Sequence, residues 1–365
     1  MRTHPSPKDD MKASPLRIAI VSPLFESVPP KLYGGTERIV SYLTEELVAQ
    51  GHQVTLFASG DSITNAKLRA MTPCGLRLDR ECTDPLAYHV IMLDEVAAAA
   101  AEFDVIHFNM DYWHFPLVRQ RGLRALTTLH GRLDIPDLAP LYRHFYDTPL
   151  VSISDSQRTP LPSANWLTTI HHGVPENLYS LGSGEGGYLA FLGRISPEKR
   201  PDAAIRIARG AGVHLKIAAK VDRVDQRYFD EIIRPLLDGP GVEFIGEIGD
   251  SEKNEFLGNA RALLFPIDWP EPFGLVIIEA MACGTPVIAR RRGSVPEIIT
   301  EGITGYIVED EEEAVAAVAK TLRQNRAECR RTFEERFTSA RMARDYVDVY
   351  RRVAQPQRQP LAEVG

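Results

Sequence analysis

The chain has 365 residues, of which 25% are charged and 44% apolar, and its formal charge is −7. That length exceeds what a single core usually organises, so about two domains are expected, with the composition of a globular protein and not of a disordered, fibrous or membrane-bundle chain. The net negative charge offers no overall attraction to nucleic acid or to an anionic lipid surface, and no nucleic-acid partner is expected.

Residues 1–15 are polar and contain proline without the apolar stretch of a signal peptide, so they read as a disordered tail. From Arg17, "RIAIVSP" is a short apolar strand; a Pro/Gly-rich loop follows, then "ERIVSYLTEELVAQ", where Ile39, Val40, Leu43, Leu47 and Val48 recur at helical spacing. "GHQVTLFA" restarts a strand, giving a β-α-β unit with parallel strands. The strands "DVIHFN", "RALTTLHG" and "PLVSIS" continue the alternation, so residues 16–172 read as a doubly wound α/β domain.

A Gly/Ser/Pro-rich passage, "HHGVPENLYSLGSGEGG", has the composition of a linker. The second series then runs "YLAFLGRI", a helix from Pro201 to Gly210, "VHLKIAA", "VEFIGEI", "ARALLFPI", the helical "EPFGLVIIEAMACG", "PVIAR", a short helix near Pro296 to Thr300 and "TGYIV". A second α/β domain is expected over 186–335, facing the first, with 336–365 as a closing helix and tail. "EDEEEA" reads as the solvated acidic start of a helix. Cys74, Cys82, Cys283 and Cys329 show no CxxC spacing and no paired histidines, which suits a reducing cytosol better than secretion and argues against a zinc site. No apolar run reaches the ~18 residues of a membrane span, so any membrane contact would be peripheral, at its inner face.

One segment raises a chemical question. "EPFGLVIIEAMACGTPVIA" is apolar yet carries Glu271 and, after seven intervening residues, Glu279. An ionised carboxylate buried without partners costs several kcal/mol or more, or shifts its pKa. A helix starting near Gly274 would set its free N–H groups beside Glu271, where phosphates dock, and a ribose diol could donate two hydrogen bonds to Glu279. Pairing of Glu279 with an internal Arg or Lys answers the question equally well on helix physics alone. "GRISPEKRPD" places Arg194 and Lys199 in a strand-to-helix loop, the crevice where such sheets bind ligands, and two cations opposite a helix N-terminus suit a diphosphate.

Taken together, "GRISPEK" and "PEPFGLVIIEAMACGTPVIA" resemble the retaining GT-B glycosyltransferases of family 4, whose hallmark is two glutamates with seven residues between them, here Glu271 and Glu279. The resemblance extends through "YGGTERIVSYLTEELVAQGHQVTLFA", "TLHG", "SISDSQR" and "GVP" to "YVDVYRRV". It implies an acceptor domain followed by a nucleotide-sugar donor domain, with the last helix crossing back to the first. Residue by residue it implies that Glu279 takes ribose hydroxyls and that Glu271 reaches the donor sugar. Arg194 and Lys199 would hold the diphosphate, with the backbone of Phe273, Gly274, Leu275 and Val276 in support. Gly34 and Gly35 would let backbone N–H groups approach the phosphate or sugar, and His130 would line the reaction centre. His172 stands where many members have asparagine, and no role attaches to it. Gly293 and Glu297 occupy a loop near the donor, Glu297 reading as a helix-end residue. Arg290 to Arg292 are phosphate contacts, acceptor contacts or merely exposed.

The implied reaction is transfer from a nucleotide-diphosphate sugar, UDP favoured and GDP second, to an acceptor hydroxyl with retention. The cations and helix end would stabilise the departing diphosphate; no Asp-x-Asp triplet occurs, and neither metal nor cofactor is expected. A non-catalytic nucleotide-sugar-binding subunit and a sugar-nucleotide epimerase of the same fold are the rival readings. "YGGTER" is not the tight G-x-G-x-x-G of an NAD site. The acceptor is a glycan, glycolipid or small molecule that the sequence does not name. Trp113, Phe115, Tyr142 and Tyr146 are candidates to stack on it, or else core residues.

Overall fold

The structure is a computed structural model that describes residues 14–31, 34–77 and 79–355. The expected tail at 1–15 lies almost wholly outside the described residues.

Seven strands form the first sheet: β1 (Arg17–Val21), β2 (Gln53–Ser59), β3 (Lys67–Thr72), β4 (Val105–Phe108), β5 (Ala125–Thr128), β6 (Leu150–Ser152) and β7 (Trp166–Thr169). Their order is β3-β2-β1-β4-β5-β6-β7, every pairing parallel. The second sheet holds β8 (Tyr188–Arg194), β9 (His214–Lys220), β10 (Val242–Gly246), β11 (Ala262–Phe265), β12 (Val287–Arg290) and β13 (Gly305–Val308). Its order, β10-β9-β8-β11-β12-β13, repeats the first pattern, and its pairings are parallel too. Helices cover both faces, so the central strands bury both faces and read as unbroken apolar runs; β1 is buried from Ile18 to Val21. In each sheet the winding reverses at one point, between β1 and β4 and between β8 and β11, and sheets of this kind open a crevice at the carboxyl ends of the strands there.

The chain leaves the first domain through His171–His172–Gly173 and re-enters it late. Val174 bridges to Thr338, and the Ser339–Ala354 helix packs Met342, Ala343, Tyr346, Val347 and Tyr350 into the apolar cluster of Ile18, Val40, Leu43 and Leu56. A buried polar string fixes this return: His107 Nδ1 lies 2.7 Å from the Tyr350 hydroxyl, His107 Nε2 2.7 Å from Thr128 Oγ1, and Thr128 Oγ1 2.8 Å from the Tyr346 hydroxyl. The acidic run opens the Glu311–Thr321 helix, with Asp310 accepting from the Glu313 N–H at 2.9 Å. All four cysteines are free thiols.

Candidate active site

Two cavities meet in the cleft between the sheets, lined largely by the carboxyl ends of strands, the loops that follow them and the starts of the next helices. The narrower, about 240 Å³, lies mainly against the second domain: Arg194 at the end of β8 and Lys199 after it, Lys220 at the end of β9, Glu247 and Ile248 after β10, and Glu271, Gly274, Leu275, Val276 and Glu279 beyond β11, with Gly34, Gly35 and Arg38 contributed by the first domain. The wider, about 740 Å³, is walled by Phe25, Asn109, Asp111, Trp113, His130, Arg132 and His172, and shares Gly34, Gly35, Arg194, Lys199, Glu271, Gly274 and Leu275 with the first. The structure therefore brings together every residue expected at the donor site.

Glu279 has an internal cationic partner and also reaches the narrow cavity. It lies on the Leu275–Ala282 helix, 3% exposed, where Ile277, Ile278, Ala280, Met281 and Ala282 are core. Gly274 starts that helix at φ 82°, a left-handed conformation that favours glycine, and its free N–H end faces the narrow cavity. Lys253 Nζ reaches Glu279 Oε1 at 3.0 Å and the Tyr179 hydroxyl donates to the same oxygen at 3.2 Å. The internal ammonium is thus present, yet the carboxylate also lines the cavity. Lys253 bridges onward to Asp250 at 3.2 Å, and Asp250 pairs with Arg38 across the cleft.

Glu271 is held by its neighbours. Lys199 forms an ion pair with it, and Trp269 Nε1 donates to Oε2 at 2.9 Å, while the Lys199 ammonium sits 4.9 Å from the Trp269 ring centroid. Arg194 pairs with Glu198 and lies 3.8 Å and 3.7 Å from Asp222 and Asp225. The loop backbone is pinned as well: Ser294 N–H donates to Glu271 O at 3.0 Å, Ser294 Oγ to Phe273 O at 2.7 Å, and Ser154 Oγ from the first domain to Pro272 O at 2.6 Å. Gly293, at φ 53°, packs against this loop; a Cβ there would lie 2.3 Å from Glu271 O. A Cβ on Gly35 would meet nothing within 4 Å, which leaves room for a ligand where the helix begins.

On the wide side, Asn109 follows β4 and His130 follows β5. An amide oxygen can only accept, so His130 Nε2–H donates to Asn109 Oδ1, 3.1 Å away. Burial lowers the His130 pKa to about 4, so the ring is neutral at physiological pH. Asn109 Nδ2, His130 Nδ1 and His172 Nδ1 are buried without partners.

The remaining candidates divide. Trp113 lines the wide cavity, whereas Phe115 and Tyr142 belong to a core cluster and Tyr146 is 70% exposed away from both cavities. Phe273 borders the wide cavity but is itself core, 2% exposed. Glu297 is a joint between domains: its carboxylate accepts from the Asp155 and Ser156 N–H groups at 2.7 Å each and lies 3.3 Å from His171 Nε2. Arg290, Arg291 and Arg292 pair with Asp268 and Glu309 outside both cleft cavities. Sequence reasoning missed Arg38, Tyr179 and Lys253, to which no role was attached and which fall on ordinary helical or loop segments. It also missed strands β3 and β7.

Among the described residues, no group of three or more His, Cys, Asp or Glu side chains is placed to hold a metal ion, and no helix is long and apolar enough to cross a membrane.

Comparison with known proteins agrees with this geometry. The model for glycosyl transferases group 1 matches residues 180–338, and that for glycosyltransferase family 4 matches 33–178. A D-inositol 3-phosphate glycosyltransferase of Mycolicibacterium smegmatis is 30% identical over 175 residues, covering 44% of this chain and 39% of that protein. One from Actinosynnema mirum is 34% identical over 132 residues, covering 33% and 31%. The matched stretches thus span well under half the length of these relatives. Among solved structures, AviGT4, a glycosyltransferase involved in avilamycin A biosynthesis, superposes with a TM-score of 0.70 at 25% identity, covering 93% of this chain and 98% of that one. Sucrose-phosphate synthase from Thermosynechococcus elongatus reaches 0.77 at 19% identity, covering 93% and 99%, a likeness of fold.

Proposed function

Because the chain belongs to the group 1 glycosyltransferases of family 4, with a GT-B fold, we propose that it transfers a sugar from a nucleotide-diphosphate sugar to an acceptor hydroxyl with retention of configuration. The observation that carries this reading is the narrow cavity, in which Arg194, Lys199 and a helix N-terminus converge next to Glu271 and Glu279.

Each group then has a chemical task. Glu279 accepts hydrogen bonds from the ribose diol, with Lys253 and Tyr179 holding its other contacts. The diphosphate replaces Glu271 as the partner of Lys199 and joins Arg194 and the N–H groups at Gly274 to Val276. Freed from Lys199, Glu271 turns to hydroxyls of the donor sugar. As the sugar–phosphate bond breaks, charge grows on the diphosphate where these preorganised groups already stand, so no divalent ion is called upon. The leaving phosphate takes the acceptor's proton on the face where the new bond forms. Arg38, reaching in from the first domain, closes the cavity against water.

UDP is the expected nucleotide, with GDP second, as in the wider family. Arg77 and Arg132, paired with Glu26 and Asp134, line the wide cavity and could exchange those partners for a phosphate on the acceptor, and the substrate in the relatives' names makes inositol phosphate the first to try. The test is nucleoside diphosphate release in EDTA from UDP-, GDP- and ADP-sugars with that acceptor, with the product's anomeric configuration read by NMR. Metal-independent release with retention is expected; a strict magnesium requirement or inversion would overturn the mechanism.

A further inference from the structure

A third cavity, of about 160 Å³, lies in the second domain outside the cleft, between the starts of the Pro201–Ala211 and Glu311–Thr321 helices and the carboxyl ends of β11, β12 and β13. Its floor is apolar and buried: Ala203, Ile207, Pro266, Ile288, Val308 and Ala314. Close-packed proteins keep few such spaces over apolar side chains. Ala203 and Ala314, one from each helix, leave this one open.

The rim carries both signs of charge, Arg200 and Arg290 with Asp310 and Glu311. Arg200 lies 3.1 Å from Asp202, 3.6 Å from Asp268 and 3.4 Å from Glu311, and Arg290 lies 2.7 Å from the same Asp268. Two guanidiniums thus grip one carboxylate beside an apolar pocket. Arg206 holds Glu311 at 2.6 Å, and Asp310 caps the helix it precedes. The Asp268 and Glu311 side chains are 43% and 40% exposed, so these are surface ion pairs, each worth little and readily exchanged for a ligand ion of the same sign.

Arg200 singles this cavity out. Among the described residues it alone, glycines aside, has a positive φ, 54°. Glycine would hold that corner without strain; arginine holds it at a cost, and what it adds is a guanidinium on the cavity rim. Its backbone continues directly from Lys199, which pairs with Glu271 in the narrow cavity, and the Asp268 N–H donates to Glu198 O at 2.9 Å. The rim and the donor loop are one piece of chain.

We propose that this cavity is a second ligand site, for a free α-amino acid with a branched or aromatic apolar side chain, and that its occupancy strengthens nucleotide binding in the cleft. The ligand's carboxylate takes the place of Asp268 between Arg200 and Arg290, its ammonium lies against Asp310 and Glu311, and its side chain fills the floor. A purely acidic or purely basic ligand meets like charge on the same rim, and a polar one leaves the floor unfilled. Held by the carboxylate, Arg200 is fixed in its left-handed conformation and Lys199 with it, which is the differential contact that coupling between two sites requires. The site stands apart from the glycosyl-transfer reading; the coupling rests on it.

Calorimetric titration of the full chain with L-leucine, L-isoleucine and L-phenylalanine tests the site. Glycine, isovalerate and isoamylamine are the controls, lacking in turn the side chain, the ammonium and the carboxylate. One-site binding of at least one of the three amino acids, about 10-fold or more tighter than any control, is expected. Arg200→Gly, which suits the backbone and removes the guanidinium, and Ala314→Leu, which fills the floor, are both expected to abolish it; if Ala314→Leu does not fold, Arg200→Gly decides alone. Saturating amino acid is expected to tighten nucleotide binding about 5-fold in the wild type and not in Arg200→Gly. No binding of any amino acid, isovalerate or isoamylamine bound as tightly, or binding that survives Arg200→Gly would overturn the site. Nucleotide affinity unchanged by the amino acid would overturn the coupling. A wild type that binds the amino acid and no nucleotide would overturn the glycosyl-transfer reading and the coupling, and leave the site standing.

Discussion

The two cavities share a wall but are built on different principles. In the narrow one the charged groups are already matched: Lys199 with Glu271, Lys253 with Glu279, Arg194 with its acidic neighbours, Arg38 with Asp250. In the wide one, polar atoms of Asn109, His130 and His172 are buried and unmatched. Charges exchange partners when a charged ligand enters, whereas neutral donors and lone pairs wait for hydroxyls. On the proposed function, electrostatics and helix geometry would set the nucleotide end, and hydrogen bonding the sugar end.

If this division is right, variants should separate cleanly, and the largest effect belongs to the leaving group. Lys199→Ala should lower kcat on the order of 100- to 1000-fold with little change in thermal midpoint, as steady-state kinetics and calorimetric scanning would show. An undiminished rate would remove leaving-group stabilisation. Glu279→Ala should weaken nucleotide binding about 10- to 100-fold, the scale of hydrogen bonds to a charged group, while the acceptor KM at saturating donor holds. Asn109→Ala and Trp113→Ala should do the reverse, raising the acceptor KM about 10-fold and sparing nucleotide affinity in titration. Should either weaken the nucleotide equally, the cavities would be one site and not two.

Acid should act on the histidine-rich side. Burial lowers His114 to about 3 and His130 to about 4 from the ordinary 6.5. An unfolded chain binds these protons first, so stability is full above about pH 6.5 and falls as pH drops towards those values, by up to about 1.4 kcal/mol per unit for each ring. Denaturant titrations from pH 7 to pH 5, above the carboxylate range, would show the slope; a flat profile would contradict neutral burial. The smallest effect belongs to Arg200, a non-glycine residue at φ 54° next to Lys199. Arg200→Gly relieves about 1 kcal/mol of backbone strain but removes contacts to Asp202, Asp268 and Glu311, so the net change in unfolding free energy should stay within about 1 kcal/mol.

The same contrast governs what the sequence made legible. Central strands announce themselves because burial on both faces demands apolar runs such as "RIAIV"; β3, "KLRAMT", and β7, "WLTT", are edge strands, partly exposed, and carry no such run. The narrow cavity was legible because its chemistry is compressed into two contiguous segments at strand ends. Arg38 was not: in "GGTERIV" it reads as a solvent-facing helical residue, yet it is buried and pairs with Asp250 of the second domain. Glu297 looked like a helix end for the same reason, its partners Asp155 and Ser156 lying in the other domain. The wide cavity draws single residues from loops after β1, β4 and β5, where no spacing rule links Phe25, Asn109 and His130 before the sheet assembles them.

The most direct measurement is calorimetric titration of UDP, GDP and ADP into the wild type, Glu279→Ala and Asn109→Ala in EDTA, repeated with magnesium. The account predicts one-site, metal-independent binding of one nucleotide that Glu279→Ala loses and Asn109→Ala keeps. Binding that survives Glu279→Ala unchanged, or no binding of any nucleotide to the wild type, would contradict it.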